Sequence, residues 1–483
     1  MPRPRLFLFL VLFATRSVAH PIHLPATALE ADAAVLYDAL RALHPGIYRY
    51  SSADEFNARY AALRHQFRHG ASLERAFLSF ARFAAAIRCG HTWTNPLNQP
   101  PEVAAALLDR ADRLPLHFTV VGRRFLVTAA TDGSQVHRFD EIVTIDGIGV
   151  EAVTTRLWPY LRADGASDGK RLAQIGHDAG QSAFDIYYSP IAPPIRGTRV
   201  LGLRPPGAKG IRLESVALLT ETAREDSLRR QGAAQSEDWS YRIDGVSAVV
   251  TMPTWAFWNR HFDWRSWLDR CFTDLRAHAV TALIIDLRRN EGGDGAIGDE
   301  MLRRLSASAH SYASHYPRLI YDIVPDRLRA YLSTWDRSFY DQRPRIEPLG
   351  AADYTLIDRE PETVEIRPAR EPFTGRVIVL VGPTDSSATF EFARIVKETG
   401  LAILVGQATG GNLRGINGGD MFFLKLPHTG ISIDVPVIGW MARTPQPDAP
   451  VAPDALVTPD LDATARGEDP DLAEARRLIS LSK

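Results

Sequence analysis

Residues 380–400 read LVGPTDSSATFEFARIVKETG, and this stretch predicts the fold of the second half of the chain. An apolar strand from Val377 to Val381 runs into a Gly-Pro-Thr turn, and an amphipathic helix follows the turn. Ser387 therefore lies at the start of a helix, where free backbone N–H groups favour negative charge. The position suits a nucleophilic hydroxyl at a strand-to-helix bend, and it also suits a serine that merely caps the helix.

The same alternation of strand and helix extends from about residue 240 to the end of the chain. It favours an α/β core with a largely parallel sheet. The predicted strands are Ser247 to Met252, Ala282 to Leu287, Arg376 to Val381 and Ala402 to Val405, and the predicted helices are Trp264 to His278, Ala296 to Leu305 and Ala388 to Thr399.

Two further regions precede this core, which we assign to residues 240–483. Residues 20–110 carry helical periodicity and predict an N-terminal helical domain. Residues 111–215 change to short β-like runs with glycine punctuation, which indicates a small β-rich module. Residues 205–240 are charged and lack periodicity, so we expect a linker or an excursion of the chain near there.

The first 19 residues have the composition of a secretory signal. Two arginines precede an apolar run from Leu6 to Phe13, and small residues end at Ala19. The alternative is a membrane anchor, but the run is shorter than the about 20 residues that span a bilayer. We therefore predict an exported protein, periplasmic or extracellular, without a stable membrane anchor.

Charge and cysteine content exclude several classes of function. Removal of residues 1–19 takes away three arginines and no acidic residue, so the net charge changes from −1 to −4 and nucleic acid is not expected as a partner. Cys89 and Cys271 are the only cysteines, and they form either one disulfide or, as we expect, two buried thiols. Neither they nor the 14 histidines show metal-binding spacing, so no metal or other cofactor is expected.

A second glycine-containing loop follows the strand that ends near Leu287. Residues 286–293 read DLRRNEGG, and paired glycines at the carboxyl end of a parallel strand let backbone amides approach a ligand closely. A developing oxyanion needs such donors. Gly292 and Gly293 are therefore candidates for an oxyanion hole, or they simply form the turn.

A histidine follows the last predicted N-terminal helix. His91 lies in the sequence RCGHTW, residues 88–93. A serine nucleophile needs a base that is neutral near pH 7, and histidine supplies one if folding brings it to Ser387. The alternative is a structural histidine.

These motifs in this order resemble the tail-specific (C-terminal-processing) and tricorn-core serine peptidase family. The resemblance rests on the DLRRNEGG loop, the strand and turn before SSATFEFA, VGQATGG at residues 405–411, and Gly90-His91-Thr92. It implies a ClpP/crotonase-like α/β peptidase core, with an N-terminal helical domain and a PDZ-like module inserted as the β-rich segment. It also implies a serine-type peptidase that needs no cofactor.

The resemblance implies a role for each candidate residue. Ser387 is the nucleophile, the amides of Gly292 or Gly293 and of Ala388 form the oxyanion hole, and His91 is the general base. One branch of the family uses a lysine instead, in a loop where this chain has Gly411-Asn412-Leu413. Asparagine cannot deprotonate a hydroxyl, so the tricorn-like histidine branch fits better.

The residue that orients His91 is less clearly marked. The histidine branch uses a carboxylate shortly before a Pro-Asp signature, which resembles Pro453-Asp454 here, and the nearest upstream acid is Asp448. Asn412 and Arg414 belong to a glycine-rich loop and are candidates for binding a substrate carboxylate or carbonyl. The alternative for all three is a solvated loop.

The leading hypothesis is an exported serine endopeptidase that cleaves peptides or unfolded protein ends through an acyl-enzyme at Ser387. A second hypothesis is a non-catalytic protein that binds an apolar ligand or a peptide on the same scaffold. A third is an acyl hydrolase that acts on esters or small peptides.

Overall fold

The computed structural model describes residues 23–178, 180–233, 236–350 and 353–481. The predicted signal segment lies outside the described residues. In the described part of the chain, no helix is both long enough and apolar enough to cross a membrane.

The amino-terminal region is helical, as its periodicity predicts. Helix α2 begins with a capping box, in which the Ser52 hydroxyl accepts from the Glu55 N–H and the Glu55 carboxylate accepts from the Ser52 N–H. Helix α3 buries one apolar face against the other helices. The elements are β1 (His23–Leu24), α1 (Ala26–Leu43), α2 (Ala53–Phe67), β2 (Ala71–Ser72), α3 (Leu73–Ala85) and α4 (Pro101–Leu107).

An antiparallel sheet with the strand order β3-β4-β5-β7-β8 follows. Its elements are β3 (Leu116–Val121), β4 (Arg124–Ala130), β5 (Glu141–Ile145), β6 (Ile148–Gly149), α5 (Val150–Leu157), α6 (Asp168–Ala173), α7 (Ala183–Ile191), β7 (Thr198–Arg204), β8 (Arg212–Ala217) and α8 (Glu221–Arg230). A PDZ-like role for this sheet stays a prediction.

The predicted linker at residues 205–240 is wrong in part, because it contains β8 and α8. Thr220 caps α8, and the buried Arg224 of this helix forms an ion pair of 2.7 Å with Asp185. This ion pair connects α8, which has few apolar residues, to Asp185 of α7. A high content of charged residues between 205 and 240 is therefore not enough to predict a linker.

The remaining elements build the carboxyl-terminal half. The strands are β9 (Ser240–Asp244), β10 (Ser247–Thr251), β11 (Ala282–Asp286), β12 (His310–Ala313), β13 (Tyr316–Arg318), β14 (Leu332–Ser333), β15 (Ile346–Pro348), β16 (Tyr354–Leu356), β17 (Thr363–Ile366), β18 (Arg376–Val381), β19 (Ile403–Gly406), β20 (Gly415–Lys425), β21 (Ser432–Met441) and β22 (Ala455–Leu456). The helices are α9 (Trp264–Ala277), α10 (Gly295–Leu305), α11 (Asp326–Arg329), α12 (Ala388–Thr399), α13 (Leu461–Ala465) and α14 (Pro470–Ser480).

The central sheet has the strand order β22-β19-β18-β11-β10-β9, and only β9 pairs antiparallel with its neighbour. Ile284 of β11 lies opposite Ile378 of β18, and both side chains are buried. Helices cover both faces, which is why these strands read as continuous apolar runs. The carboxyl ends of β11 and β18 lie side by side, so the DLRRNEGG loop and the Ser387 turn meet at one edge.

The long hairpin of β20 and β21 links this core to the amino-terminal helices. Buried side chains of the hairpin, such as Phe422 and Val435, belong to the same apolar cluster as Leu36 and Leu40 of α1. The first residues of β20 therefore lie between the amino-terminal region and the central sheet. Both cysteines are free and buried, as expected from the sequence.

Candidate active site

Ser387 occupies a strained turn at the start of α12. Its backbone has φ 53° and ψ −126°, a conformation that a residue with a side chain seldom adopts. Its side chain makes no capping hydrogen bond to the helix. The alternative of a serine that merely caps the helix is therefore excluded, and the half-buried hydroxyl is directed by the turn instead.

Gly292 of the DLRRNEGG loop packs directly against this turn. A Cβ atom at Gly292 would lie 2.7 Å from the Ser386 carbonyl oxygen and 2.8 Å from Cβ of Ser387. Glycine is required here because φ is also positive, at 104°. The Gly292 N–H donates to Oδ1 of Asn290 at 2.9 Å, so this amide is already engaged.

Two other amides remain for an oxyanion. In the described part of the chain, the N–H groups of Gly293 and Ala388 donate no hydrogen bond, and both residues line the same cavity as Ser387. Ala388 is the first residue of α12, so its N–H adds to the positive end of the helix. This arrangement suits a carbonyl oxygen that gains negative charge next to Ser387.

Polar contacts fix the glycine loop to the serine turn. The Thr389 hydroxyl is 2.8 Å from the carbonyl oxygen of Asn290, and the Asn290 amide donates to the carbonyl oxygen of Met252 at 2.8 Å. Asn290 and Thr389 are fully buried. These two side chains connect the glycine loop to the first turn of α12 and to the residue that follows β10.

A buried lysine makes a further connection between the same loops. The Lys170 ammonium group of α6 donates to the Ser386 hydroxyl at 2.5 Å and lies 3.3 Å from the Glu291 carboxylate. The Ser386 hydroxyl in turn donates to the carbonyl oxygen of Glu291 at 3.1 Å. Lys170 therefore joins the residue before the nucleophile to the residue before Gly292, and burial lowers the pKa of its amine.

The cavity beside Ser387 has a volume of about 330 Å³. Apolar side chains from three elements form much of its wall, namely Ile395 of α12, Ile416 of β20 and Trp440 of β21. Charged side chains also line it, and a cavity of this size next to a nucleophile accommodates one side chain of a substrate.

His91 reaches this cavity from the amino-terminal region. A Cβ atom at Gly418, which lines the cavity, would lie 3.7 Å from Cε1 and Nε2 of His91. Burial lowers the pKa of His91 to about 4, so the imidazole is neutral at pH 7 and able to accept a proton. Folding thus brings His91 against Gly418 in the wall of the Ser387 cavity, although more than 290 residues separate His91 from Ser387 in sequence. The imidazole itself does not line the cavity, and the two side chains share no direct hydrogen bond.

The predicted orienting acid has other partners. Asp448 accepts hydrogen bonds from the Asn412 amide at 2.8 Å, the Ala166 N–H at 2.7 Å and the Arg88 guanidinium at 2.9 Å. These donors lower the pKa of Asp448, although burial opposes them. The structure therefore places Asp448 close to the loop that carries His91, but not in contact with His91 itself.

The two predicted substrate-binding residues do not line the Ser387 cavity. Asn412 is fully buried and donates to the Asp164 carbonyl oxygen at 3.3 Å as well as to Asp448. Arg414 is exposed, and its guanidinium donates to the carbonyl oxygen of Gln446. Asn412 therefore connects two acidic residues, which the glycine-rich sequence around it did not reveal.

Sequence reasoning missed the charged residues around His91. Asp164, Arg162, Lys170 and Glu291 all act electrostatically on its imidazole. Three of them come from the segment before α6 or from α6 itself, where no motif marks them. Glu291 had a signal, because it lies within the DLRRNEGG loop. Across the described residues, no group of histidine, cysteine and acidic side chains is arranged to hold a metal ion.

Comparisons with known proteins agree with this geometry. Residues 247–421 match the profile of Peptidase family S41. The solved structure of mature CPAF complexed with lactacystin shares the fold, with a TM-score of 0.64 and 15% identity over 95% of this chain and 98% of that chain. Mature CPAF alone gives a TM-score of 0.62 and 14% identity over 95% and 97%. Among curated proteins, none matches this sequence.

Proposed function

We propose that this serine-type peptidase, which belongs to peptidase family S41 through its α/β core, is an exported endopeptidase. It cleaves peptides or unfolded proteins through an acyl-enzyme at Ser387. One observation carries the proposal. The uncapped Ser387 hydroxyl borders a cavity together with the unengaged amides of Gly293 and Ala388, and His91 lies against Gly418 in the wall of that cavity.

The proposed reaction uses His91 twice. Neutral His91 takes the proton of the Ser387 hydroxyl while Oγ forms a bond to the carbonyl carbon of the substrate. The carbonyl oxygen becomes an oxyanion that accepts hydrogen bonds from the amides of Gly293 and Ala388. His91 then gives its proton to the departing amine as the peptide bond breaks, and water releases the acyl group by the same steps.

The activity is tested by digestion of a reduced and alkylated unfolded protein, with the products sequenced by mass spectrometry. We expect internal cleavage that the Ser387→Ala protein does not produce. Hydrolysis of chromogenic esters without any cleavage of peptides would instead identify an acyl hydrolase.

The proposal of export rests on residues 1–19 alone. Amino-terminal sequencing of the protein from its native host should find a mature chain that begins at His20. A chain that still carries Met1 in a cytosolic fraction would contradict export.

The charge of the Ser387 cavity favours a substrate side chain with a positive charge. Four acidic residues line the cavity, against one arginine and one histidine: Asp299, Asp358, Glu360 and Glu391, with Arg359 and His315. Arg359 is engaged by Glu347, and Glu391 by His315 and Arg394. Burial, followed by repulsion from Glu360, raises the pKa of Asp299 to about 6. Apolar walls with an excess of acidic side chains match the long aliphatic chain and cationic end of lysine or arginine.

We therefore expect faster cleavage next to lysine than next to its neutral isostere norleucine. The double substitution Asp299→Asn, Glu360→Gln should reduce this ratio of kcat/KM by about threefold to fivefold, since each partly exposed charge contributes little. Glu300→Gln is the matched control, because Glu300 pairs with Arg303 and Arg304 on α10 and does not line the cavity. An unchanged ratio in the double variant would contradict the assigned preference.

The low pKa of His91 predicts activity well below neutral pH. Only the neutral imidazole accepts the serine proton, so the rate of acylation should rise with pH through a value near 4 and then stay level to pH 7. An ordinary histidine would place this rise near 6.5. The measurement is the labelling rate of Ser387 by an uncharged fluorophosphonate between pH 3.5 and 8, with recovery at pH 7 as the control for unfolding.

A further inference from the structure

We propose that Asp164, and not Asp448, is the carboxylate that positions His91 for catalysis. The inference rests on the proposed function of His91 as the general base. Asp164 does not touch the substrate in this account. It acts on the tautomer and orientation of the imidazole.

Asp164 lies against the residue that precedes His91. It is fully buried, and its Oδ1 accepts from the Gly90 N–H at 3.0 Å. A Cβ atom at Gly90 would lie only 2.6 Å from Oδ2 of Asp164. The carboxylate therefore occupies the space that a side chain at position 90 would fill, which explains why this position is a glycine.

The second oxygen of this carboxylate has a matching partner nearby. Among the buried side-chain atoms of the described residues, Oδ2 of Asp164 lacks a hydrogen bond, and so does Nδ1 of His91. One atom is an acceptor and the other, in the tautomer that leaves Nε2 free to take a proton, is a donor. In the proposed arrangement these two atoms pair, directly after a rotation of the carboxylate or through one bridging water, and this pairing would remove the cost of two unpaired buried groups.

The charges around His91 favour the same assignment. After burial, Asp164 is the largest influence on the pKa of His91, and it raises that pKa. Lys170 and Arg162 lower it, and Glu291 raises it less than Asp164 does. A negative charge at Asp164 stabilises the imidazolium that forms when His91 takes the serine proton.

Asp448 lacks these features. Both of its oxygens are engaged, Oδ1 by Ala166 and Asn412 and Oδ2 by Arg88. Because Asn412 donates to both Asp448 and the Asp164 carbonyl oxygen, Asp448 is connected to the loop of Asp164 through Asn412. Its influence on His91 is indirect.

The test uses the full-length protein and the single variants Asp164→Asn and Asp448→Asn. Asparagine at position 164 keeps an acceptor for the Gly90 N–H and removes only the charge. Asp32→Asn is the matched control, because Asp32 is also fully buried and accepts from two backbone amides, those of His428 and Thr429. One readout is the rate at which a fluorophosphonate labels Ser387 as a function of pH. The other is the tautomer of His91 by ¹⁵N-histidine NMR, assigned by comparison with His91→Gln.

We expect Asp164→Asn to slow labelling of Ser387 at pH 7 by about 10²-fold to 10⁴-fold, because replacement of the acid that orients a catalytic histidine has an effect of this order in other serine hydrolases. The rise of the rate with pH should move to lower pH, since the charge that raises the pKa of His91 is gone. The His91 spectrum should lose its Nδ1–H form. Asp448→Asn and Asp32→Asn should both retain the wild-type tautomer.

Labelling of Asp164→Asn within about threefold of wild type, with the same pH dependence, would overturn the inference and leave the proposed function intact. The inference would also be overturned if Asp448→Asn, and not Asp164→Asn, changed the His91 tautomer. Failure of the wild-type protein to react would refute the proposed function instead. In that case the ¹⁵N-histidine NMR spectra would still test the role of Asp164. An identical His91 signal in the wild-type and Asp164→Asn proteins would exclude a positioning role for Asp164.

Discussion

Ser387→Ala should reduce peptide hydrolysis by at least about 10⁴-fold, because Ser387 is the one serine or threonine among the described residues that line the cavity. The fold should persist, since the Ser387 side chain makes no capping hydrogen bond whose loss would destabilise α12. The measurement is kcat/KM on a peptide with one scissile bond, together with the thermal midpoint of unfolding. Ser306→Ala is a suitable control, because Ser306 is a fully buried serine on another helix end.

The neighbouring Ser386 offers an internal contrast. Its hydroxyl is buried and engaged by Lys170 and by the Glu291 carbonyl oxygen, so it is not available to a substrate. The covalent adduct of a Ser386→Ala protein should still form on Ser387. Undiminished hydrolysis by Ser387→Ala would show that the strained turn has another purpose.

His91→Gln should reduce kcat/KM at pH 7 by at least about 10³-fold, because glutamine cannot accept the serine proton. The rate should partly recover at high pH, where hydroxide takes over the deprotonation. The double variant Ser387→Ala, His91→Gln should be no slower than Ser387→Ala alone, since the two residues act as a unit. Stopped-time assays with high enzyme concentration measure all three variants.

His117→Gln is the matched control for this substitution. His117 is also buried with a lowered pKa, but it lies on β3 and pairs with Glu225 outside the Ser387 cavity. A loss of activity in His117→Gln equal to that in His91→Gln would mean that removal of a buried histidine, and not loss of the base, causes the effect.

The sequence predicted the core well because its signal is local. The apolar run before the Ser387 turn and the amphipathic run after it correspond closely to β18 and α12, whose limits the structure places at Arg376–Val381 and Ala388–Thr399. Parallel pairing of β11 with β18 then brings Gly293 to Ser387 without any further information. Strand order thus converts two local motifs into one site.

The surroundings of His91 could not be predicted in the same way. Asp164 and Lys170 are more than 200 residues from Ser387 in sequence, and neither belongs to a recognisable pattern. The sequence points to Asp448 because it precedes Pro453-Asp454, but sequence distance from a signature does not reveal which donors saturate a carboxylate. The helix α8 was missed for a related reason, since buried pairing of Arg224 with Asp185 is invisible in a charged stretch.

The most direct test of the account is to label the purified protein with a fluorophosphonate and locate the adduct by peptide mass spectrometry. We expect one adduct on Ser387 in the wild-type protein, none in Ser387→Ala, and greatly slowed formation in His91→Gln. A folded wild-type protein that forms no adduct, or forms it on another serine, would contradict the assignment of Ser387 as the nucleophile.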